Sequence, residues 1–258
     1  MNQLPIGIVD SGLGGYSIYH ALQTRFPTSS WLFLADQIHA PYGDKSKEEI
    51  IEIMIGNVSW MRQLGIREVL LACNTASSNA LDSLRHTFAD MTFYGIIDVT
   101  VSPLSHQKRV GVLATEATVR SGAYTQSITK SHPEMDVVEV SAKPLVGLIE
   151  SLSDVQVIEA YLRSLLSSLS VLDTLILGCT HYPIIKPVIE SVFDVKTMDS
   201  IDPILHLFST KTLAEGKSWV VTSKDPTYLK EQIHRLFQVD EMVFSKEEVS
   251  PFEISHCQ

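Results

Sequence analysis

Short runs of consecutive apolar residues alternate along the chain with longer stretches in which apolar positions recur every three or four residues. Runs at 6–9, 31–34, 69–72, 93–97, 110–113, 137–140, 174–177 and 219–222 read as buried strands. Several are apolar at successive rather than alternate positions, which suits strands covered on both faces of a mostly parallel sheet. The intervening stretches read as helices. The clearest covers 47–64: Ser46 and Glu49 have capping-box spacing, Ile51, Ile55, Val58 and Met61 form an apolar stripe, and Gly65 follows as a stop. A second helix is expected over 16–26, ended by Pro27. Strand and helix in alternation predict an α/β fold of doubly wound, mostly parallel sheets.

The pattern also repeats. A glycine-containing apolar strand begins at Ile6 ("IGIVDSGLGG") and another at Val110 ("VGVLATEATV"), while apolar strands ending in cysteine begin at Leu70 ("LLACNTAS") and Leu175 ("LILGCTHYP"). Gly7 and Gly111 are 104 positions apart, and Cys73 and Cys179 are 106 apart. Two matches at nearly one offset predict two similar halves. The segment 98–107, with Pro103, suits a crossing between them, and 199–203 a second crossing. The expected division is a discontinuous first domain, 1–98 with 210–258, and a second domain, 99–209.

Composition narrows the classes. With 258 residues, 45% hydrophobic and 19% charged, the chain can build one large or two ordinary cores and is neither disordered nor collagen-like. A net charge of −10 argues against a general nucleic-acid or anionic-membrane surface, so neither partner is expected. No signal peptide and no long apolar span is visible, and a cytoplasmic location is expected. The three cysteines, Cys73, Cys179 and Cys257, are too few and too widely spaced for a disulfide framework.

In open α/β sheets ligands bind at the carboxyl ends of strands. Those ends hold Asp10-Ser11, Cys73-Asn74-Thr75, Thr115 with Thr118, and Cys179-Thr180-His181. If the halves face each other, both cysteines border one cleft. A thiol at a strand-to-helix junction is favoured as thiolate by backbone N–H groups and the helix dipole. Asp10 and His181 are candidate proton-handling partners. Either cysteine alone also reads as a small buried hydrophobe, and Cys257 as an exposed tail thiol. Cys73, Cys179 and His181 lack the paired spacing of structural zinc ligands, so no metal site is expected. Gly12, Gly14 and Gly15 permit a tight turn and close ligand approach, without the spacing of a dinucleotide or Walker loop. In "APYGDKS", the Tyr42 and Gly43 backbone N–H groups suit a carboxylate.

These stretches resemble the glutamate racemases of the cofactor-independent aspartate/glutamate racemase superfamily. The resemblance rests on "GIVDSGLGG" at 7–15, "ADQIHAPYGDKS" at 35–46, "LACNTASSNAL" at 71–81, "GVLATEATVRSGAY" at 111–124 and "LILGCTHYP" at 175–183. It implies two pseudo-symmetric α/β domains with the active site between them. It implies interconversion of L- and D-glutamate for peptidoglycan synthesis, without a cofactor. By motif, Cys73 and Cys179 correspond to the two catalytic bases, Cys73 for D-glutamate and Cys179 for L-glutamate, assisted by Asp10 and His181. Asp10, Ser11, Tyr42, Gly43, Asn74, Thr75, Thr180 and His181, with Thr115, Thr118 and Glu150, correspond to substrate-binding positions. One stretch departs: where the family often has C-P-L-x-x-P-L-x-E, "AKPLVGLIE" at 142–150 carries Lys143 and Gly147.

Two opposed thiols suit racemisation, which removes a proton from one face of Cα and returns one to the other. Hydroxyls of Thr75 and Thr180 and the Asn74 amide are candidate donors to the developing negative charge. Three other readings stay open: a racemase of aspartate or another amino acid, a non-catalytic ligand-binding regulator on the same scaffold, and a thiol hydrolase, which would need only one nucleophile. A homodimer is also left open.

Overall fold

The computed structural model describes residues 4–166, 171–251 and 254; Cys257 lies outside them. In chain order the elements are β1 (Ile6–Asp10), α1 (Tyr16–Arg25), β2 (Trp31–Ala35), α2 (Lys47–Gln63), β3 (Glu68–Leu71), α3 (Asn74–Thr87), β4 (Thr92–Gly95) and α4 (Ile96–Val101). Then come β5 (Arg109–Ala114), α5 (Glu116–Ser121), α6 (Ala123–Ser131), β6 (Asp136–Ser141), α7 (Leu145–Glu150), α8 (Val155–Leu166), β7 (Thr174–Gly178), α9 (Lys186–Val192) and β8 (Thr197–Met198). The chain continues with α10 (Ile201–Ser209), β9 (Trp219–Thr222), α11 (Pro226–Phe237) and β10 (Val243–Ser245).

Two parallel sheets result. The first has order β10-β9-β2-β1-β3-β4, the second β6-β5-β7-β8. The run β2-β1-β3-β4 and the run β6-β5-β7-β8 have the same connectivity, so the internal repeat is a repeat of topology. The register agrees: Gly7 pairs with Val69 in the first sheet and Gly111 with Leu175 in the second. These pairs sit at the same two offsets as the sequence repeat. After β8 the chain returns through α10 to add β9 and β10 to the first sheet.

Successive strand residues face opposite layers, and both layers are apolar. Ile8, Trp31, Phe33 and Leu70 face a core shared with Val110, Val112 and Ile176 of the second sheet. Val9, Leu32, Leu34, Val69 and Leu71 face α2 and α3, while Leu113, Leu175 and Leu177 face α7, α8 and α9. Burial on both faces is why these strands read as unbroken apolar runs. Each fully buried Leu, Ile or Phe contributes about 1.5–3 kcal/mol relative to exposure. The shared core thus contributes to holding the two sheets together.

Three expectations change. The run 93–97 ends as a strand at Gly95, and Ile96 and Ile97 begin α4 instead. A Cβ at Gly95 would overlap Leu81 of α3, so the strand end packs closely on that helix. Both expected crossings are helical: α4 and α10 pack together, with the Thr100 and Ser200 hydroxyls 2.7 Å apart. The buried face of α2 is set by Ile50, Met54, Val58 and Met61, while Ile51 and Ile55 are only half-buried. Asn57 on that face bonds buried Asp36, a polar contact that no hydrophobic stripe reveals. Strands β8 and β10, of two and three residues, are too short to register as apolar runs. The Ser46–Glu49 capping box forms, and Gly65, at φ +92°, ends the helix as expected.

Candidate active site

The carboxyl ends of β1, β3, β5 and β7 converge on a cavity of about 430 Å³ between the two halves. Ser11, Gly12, Tyr42, Gly43, Cys73, Asn74 and Thr75 line it from the first half, and Thr115, Glu150, Cys179, Thr180 and His181 from the second. Both thiols therefore border one cavity, at equivalent strand ends. Each is close to fully buried.

Their surroundings differ. The Cys73 thiol lies 3.7 Å from Ser11 Oγ. Burial, reinforced by the charge of Asp10, pushes its pKa up to about 12, so Cys73 rests as a thiol at neutral pH. Cys179 Sγ lies 3.8 Å from Nδ1 of His181, whose Nε2 lies 2.8 Å from Glu150 Oε1. Burial works against the imidazolium, but the contacts with Cys179 and Glu150 outweigh it and raise the His181 pKa to about 10. A positive ring thus stands beside any negative charge that develops on the Cys179 sulfur.

Asp10 sits behind this surface. It is fully buried and does not line the cavity. Its Oδ1 accepts from the Gly12 N–H and its Oδ2 from the Thr180 hydroxyl, at 3.0 and 3.2 Å. Burial raises its pKa, although His181 opposes this. Asp10 thereby joins the first half's glycine turn to the second half's Cys-Thr-His turn. The glycines serve the same junction. A Cβ at Gly14 would overlap Thr180 Oγ1 and the His181 ring, and one at Gly15 would overlap Asp10. Close approach at Gly14 is made to the opposite half rather than to a ligand; only Gly12 of the three lines the cavity.

Polar groups complete the walls. Thr75 Oγ1 is 2.8 Å from Thr115 Oγ1, and Thr118 Oγ1 bonds both from behind without reaching the cavity wall. Asn74 Oδ1 accepts from Tyr124, and its buried Nδ2 has no hydrogen-bond partner among the described residues. An unmade buried N–H costs about 1–3 kcal/mol, so a ligand oxygen in reach of Asn74 would relieve it. Tyr42 donates its hydroxyl to Asp36 Oδ2 at 2.6 Å, which commits that hydroxyl to the protein. Burial opposes the Asp36 carboxylate, yet hydrogen bonds from Tyr42, Asn57, Ser223 and His39 hold its pKa below the usual value. That network fixes the Tyr42–Gly43 turn.

Several further residues line the cavity that the sequence did not mark as substrate-binding. Gln37, Lys224, Tyr228 and Gln232 line the first half, and Asp44, Glu116 and Lys143 form ion pairs at the rim. Tyr228 and Gln232 are one turn apart on α11, but only the return of β9 to the first sheet brings that helix to the cavity. Despite Lys143 and Gly147, the departing stretch forms helix α7, and Glu150 at its end reaches His181. No helix among the described residues is long and apolar enough to cross a membrane.

A family model described as Asp/Glu/Hydantoin racemase matches residues 17–207. A glutamate racemase from Picosynechococcus sp. is 38% identical over 223 residues, which covers 84% of this chain and 79% of that protein. A glutamate racemase from Francisella tularensis, solved in complex with D-glutamate, is similar at TM-score 0.88 and 28% identity, covering 97% of this chain and 99% of that one. Another, from Thermus thermophilus in complex with beta-chloro-D-alanine, is similar at TM-score 0.83 and 28% identity, covering 96% and 97%.

Proposed function

The chain belongs to the Asp/Glu/Hydantoin racemase family and is an amino-acid racemase; from that premise we propose that it interconverts L- and D-glutamate by proton transfer between two cysteines. The observation that carries this reading is the pair of thiols lining one cavity from opposite halves, each with a different polar partner. From L-glutamate, Cys179 takes the Cα proton while the His181 imidazolium offsets the charge on its sulfur. Cys73, resting protonated, delivers a proton to the other face. From D-glutamate the roles reverse. No net proton is consumed, and after each turnover the two sulfurs have exchanged states.

Cα–H is a very weak acid, so the carbanion-like state needs donors already in place. Asn74 Nδ2, the Thr75 and Thr180 hydroxyls and the strand-end N–H groups are suited to the α-carboxylate. One such donor contributes roughly 10²–10³ in rate in comparable sites. The Tyr42–Gly43 main chain and Thr115 are suited to the side-chain carboxylate. Asp10 and Thr118 act from behind as positioning residues, through Thr180 and Thr75 respectively.

Glutamate is preferred to aspartate because the relatives at 33–38% identity carry the name glutamate racemase. The reading further assigns the product to peptidoglycan precursors and the enzyme to the cytoplasm, a compartment that keeps both thiols reduced. We also divide the chain into 1–98 with 210–258 and 99–209, in keeping with the return of β9 and β10 to the first sheet.

The test is incubation with L-glutamate and, separately, L-aspartate in deuterated water, followed by chiral chromatography and mass spectrometry. Glutamate should gain one deuterium at Cα and approach a racemic mixture. Ligand binding with no exchange would sink the catalytic reading, and faster turnover of aspartate would reassign the substrate.

A further inference from the structure

Lys143 stands where the sequence departs from its family pattern, and the fold gives it a specific place. Its Nζ lies 3.3 Å from Asp44 Oδ1 and 3.1 Å from Glu116 Oε2. Asp44 belongs to the first-half turn that carries Tyr42 and Gly43. Glu116 opens α5 in the second half, next to Thr115. All three residues line the cavity and all are substantially solvent-exposed.

The charges at the cavity wall make this arrangement consequential. The lining acids are Asp44, Glu116 and Glu150, and the lining lysines are Lys143 and Lys224. Glu150 is paired with His181 inside. Lys224 lies over the Tyr228 ring, 4.9 Å from its centre. Lys143 is therefore the cation set between the two rim carboxylates. Without it, Asp44 and Glu116 would present two negative charges to an anionic amino acid, on a chain whose formal net charge is already −10.

We propose that Lys143 is a specificity-determining residue for admission of the anionic substrate, neutralising the Asp44 and Glu116 carboxylates at the mouth of the cleft. This rests on the reading that the substrate is glutamate. A mechanical latch is the competing role for the same contacts. Exposed ion pairs contribute little to holding two surfaces together. The Arg120 guanidinium also donates to the Lys45 carbonyl at 3.1 Å, and so ties the same turn to α5 without Lys143. The electrostatic role needs no strong bond, only a charge at the point of passage.

The two roles differ in sign and in salt dependence. The experiment measures kcat/KM for L-glutamate at about 10 mM and about 500 mM ionic strength, where the screening length falls from ~30 Å to a few ångströms. The wild type is compared with Lys143→Met, Lys143→Arg and the double variant Asp44→Asn/Glu116→Gln. At low salt Lys143→Met should lose about three- to ten-fold, a scale set by one charge a few ångströms from the path in a water-rich setting. That gap should shrink below two-fold at high salt. Lys143→Arg should stay within two-fold, and the double variant should rise above wild type at low salt. A loss in Lys143→Met that persists at high salt would overturn the proposal. So would a fall in the double variant, which is what a broken latch predicts, or no change in any variant. Failure of the wild type to racemise glutamate would instead refute the substrate reading on which the proposal stands.

Discussion

Replacing Glu150 by glutamine removes a charge from the far side of the His181 ring while preserving the side chain's shape. In the wild type the imidazole lies between Cys179 Sγ and Glu150 Oε1, at 3.8 and 2.8 Å, and its pKa is raised to about 10. The two contacts share in holding the ring positive against burial. A hydrogen bond to a charged partner contributes about 1.5–3 kcal/mol, or about one to two pKa units at 1.36 kcal/mol each. Glu150 is 33% exposed, so solvent screens part of this and the lower end applies. Glu150→Gln should therefore lower the His181 titration by about one unit, two at most. The sign follows from the charge: a neutral amide stabilises the imidazolium less, so the proton leaves at lower pH. At pH 9 the neutral-ring fraction should climb from about a tenth to about half or more, with almost no change at pH 7. Imidazole carbon–proton NMR, with His181 assigned through its loss in His181→Asn, follows the titration directly. A wild-type midpoint near the ordinary histidine value, or a midpoint unmoved by Glu150→Gln, would refute this account of the site.

Three other outcomes are expected. Cys73→Ser and Cys179→Ser should each lower racemisation by several orders of magnitude, because a serine hydroxyl cannot take the place of either acid–base thiol; full two-way activity in either variant would exclude the two-base mechanism. Gly14→Ala should cost at least ten-fold in kcat, since the added Cβ meets Thr180 and His181 across the junction; circular dichroism and a thermal melt would show whether the halves still fold, and unchanged kcat would contradict the tight apposition. Tyr124→Phe removes the donor that orients Asn74 Oδ1, and the freed amide should raise KM for glutamate several-fold, a change that steady-state kinetics would detect or exclude.

The facing thiols were legible because they combine two strong local signals, an apolar run and an abrupt polar end, at one spacing in both halves. Strand direction follows from the same runs, since only sheets buried on both faces tolerate them. The limits are equally physical. Ile96 and Ile97 continue an apolar run, and nothing in their chemistry announces that the strand ends at Gly95 and α4 begins. Asn57 is a polar residue on a core face, chosen by Asp36 in β2's following turn and so by a contact 21 positions away. Thr118 and Asp10 stood among the expected substrate-binding positions in the sequence but support the wall from behind. Gln232 depends on where α11 lies in space, and the pairing of Lys143 with Asp44 and Glu116 on how the two halves meet, which no local pattern encodes.

The two halves share a topology but not their chemistry: a serine and a buried aspartate attend one sulfur, a histidine–glutamate pair the other. Yet mirror-image amino acids have equal free energies in water, so their equilibrium constant is unity whatever the enzyme. The ratio kcat/KM must then be the same from either enantiomer. Unlike partners can make one hand bind tighter and turn over more slowly, or the reverse, but only in exact compensation. Evolution was thus free to furnish the two walls differently, because thermodynamics forbids that difference from biasing the product.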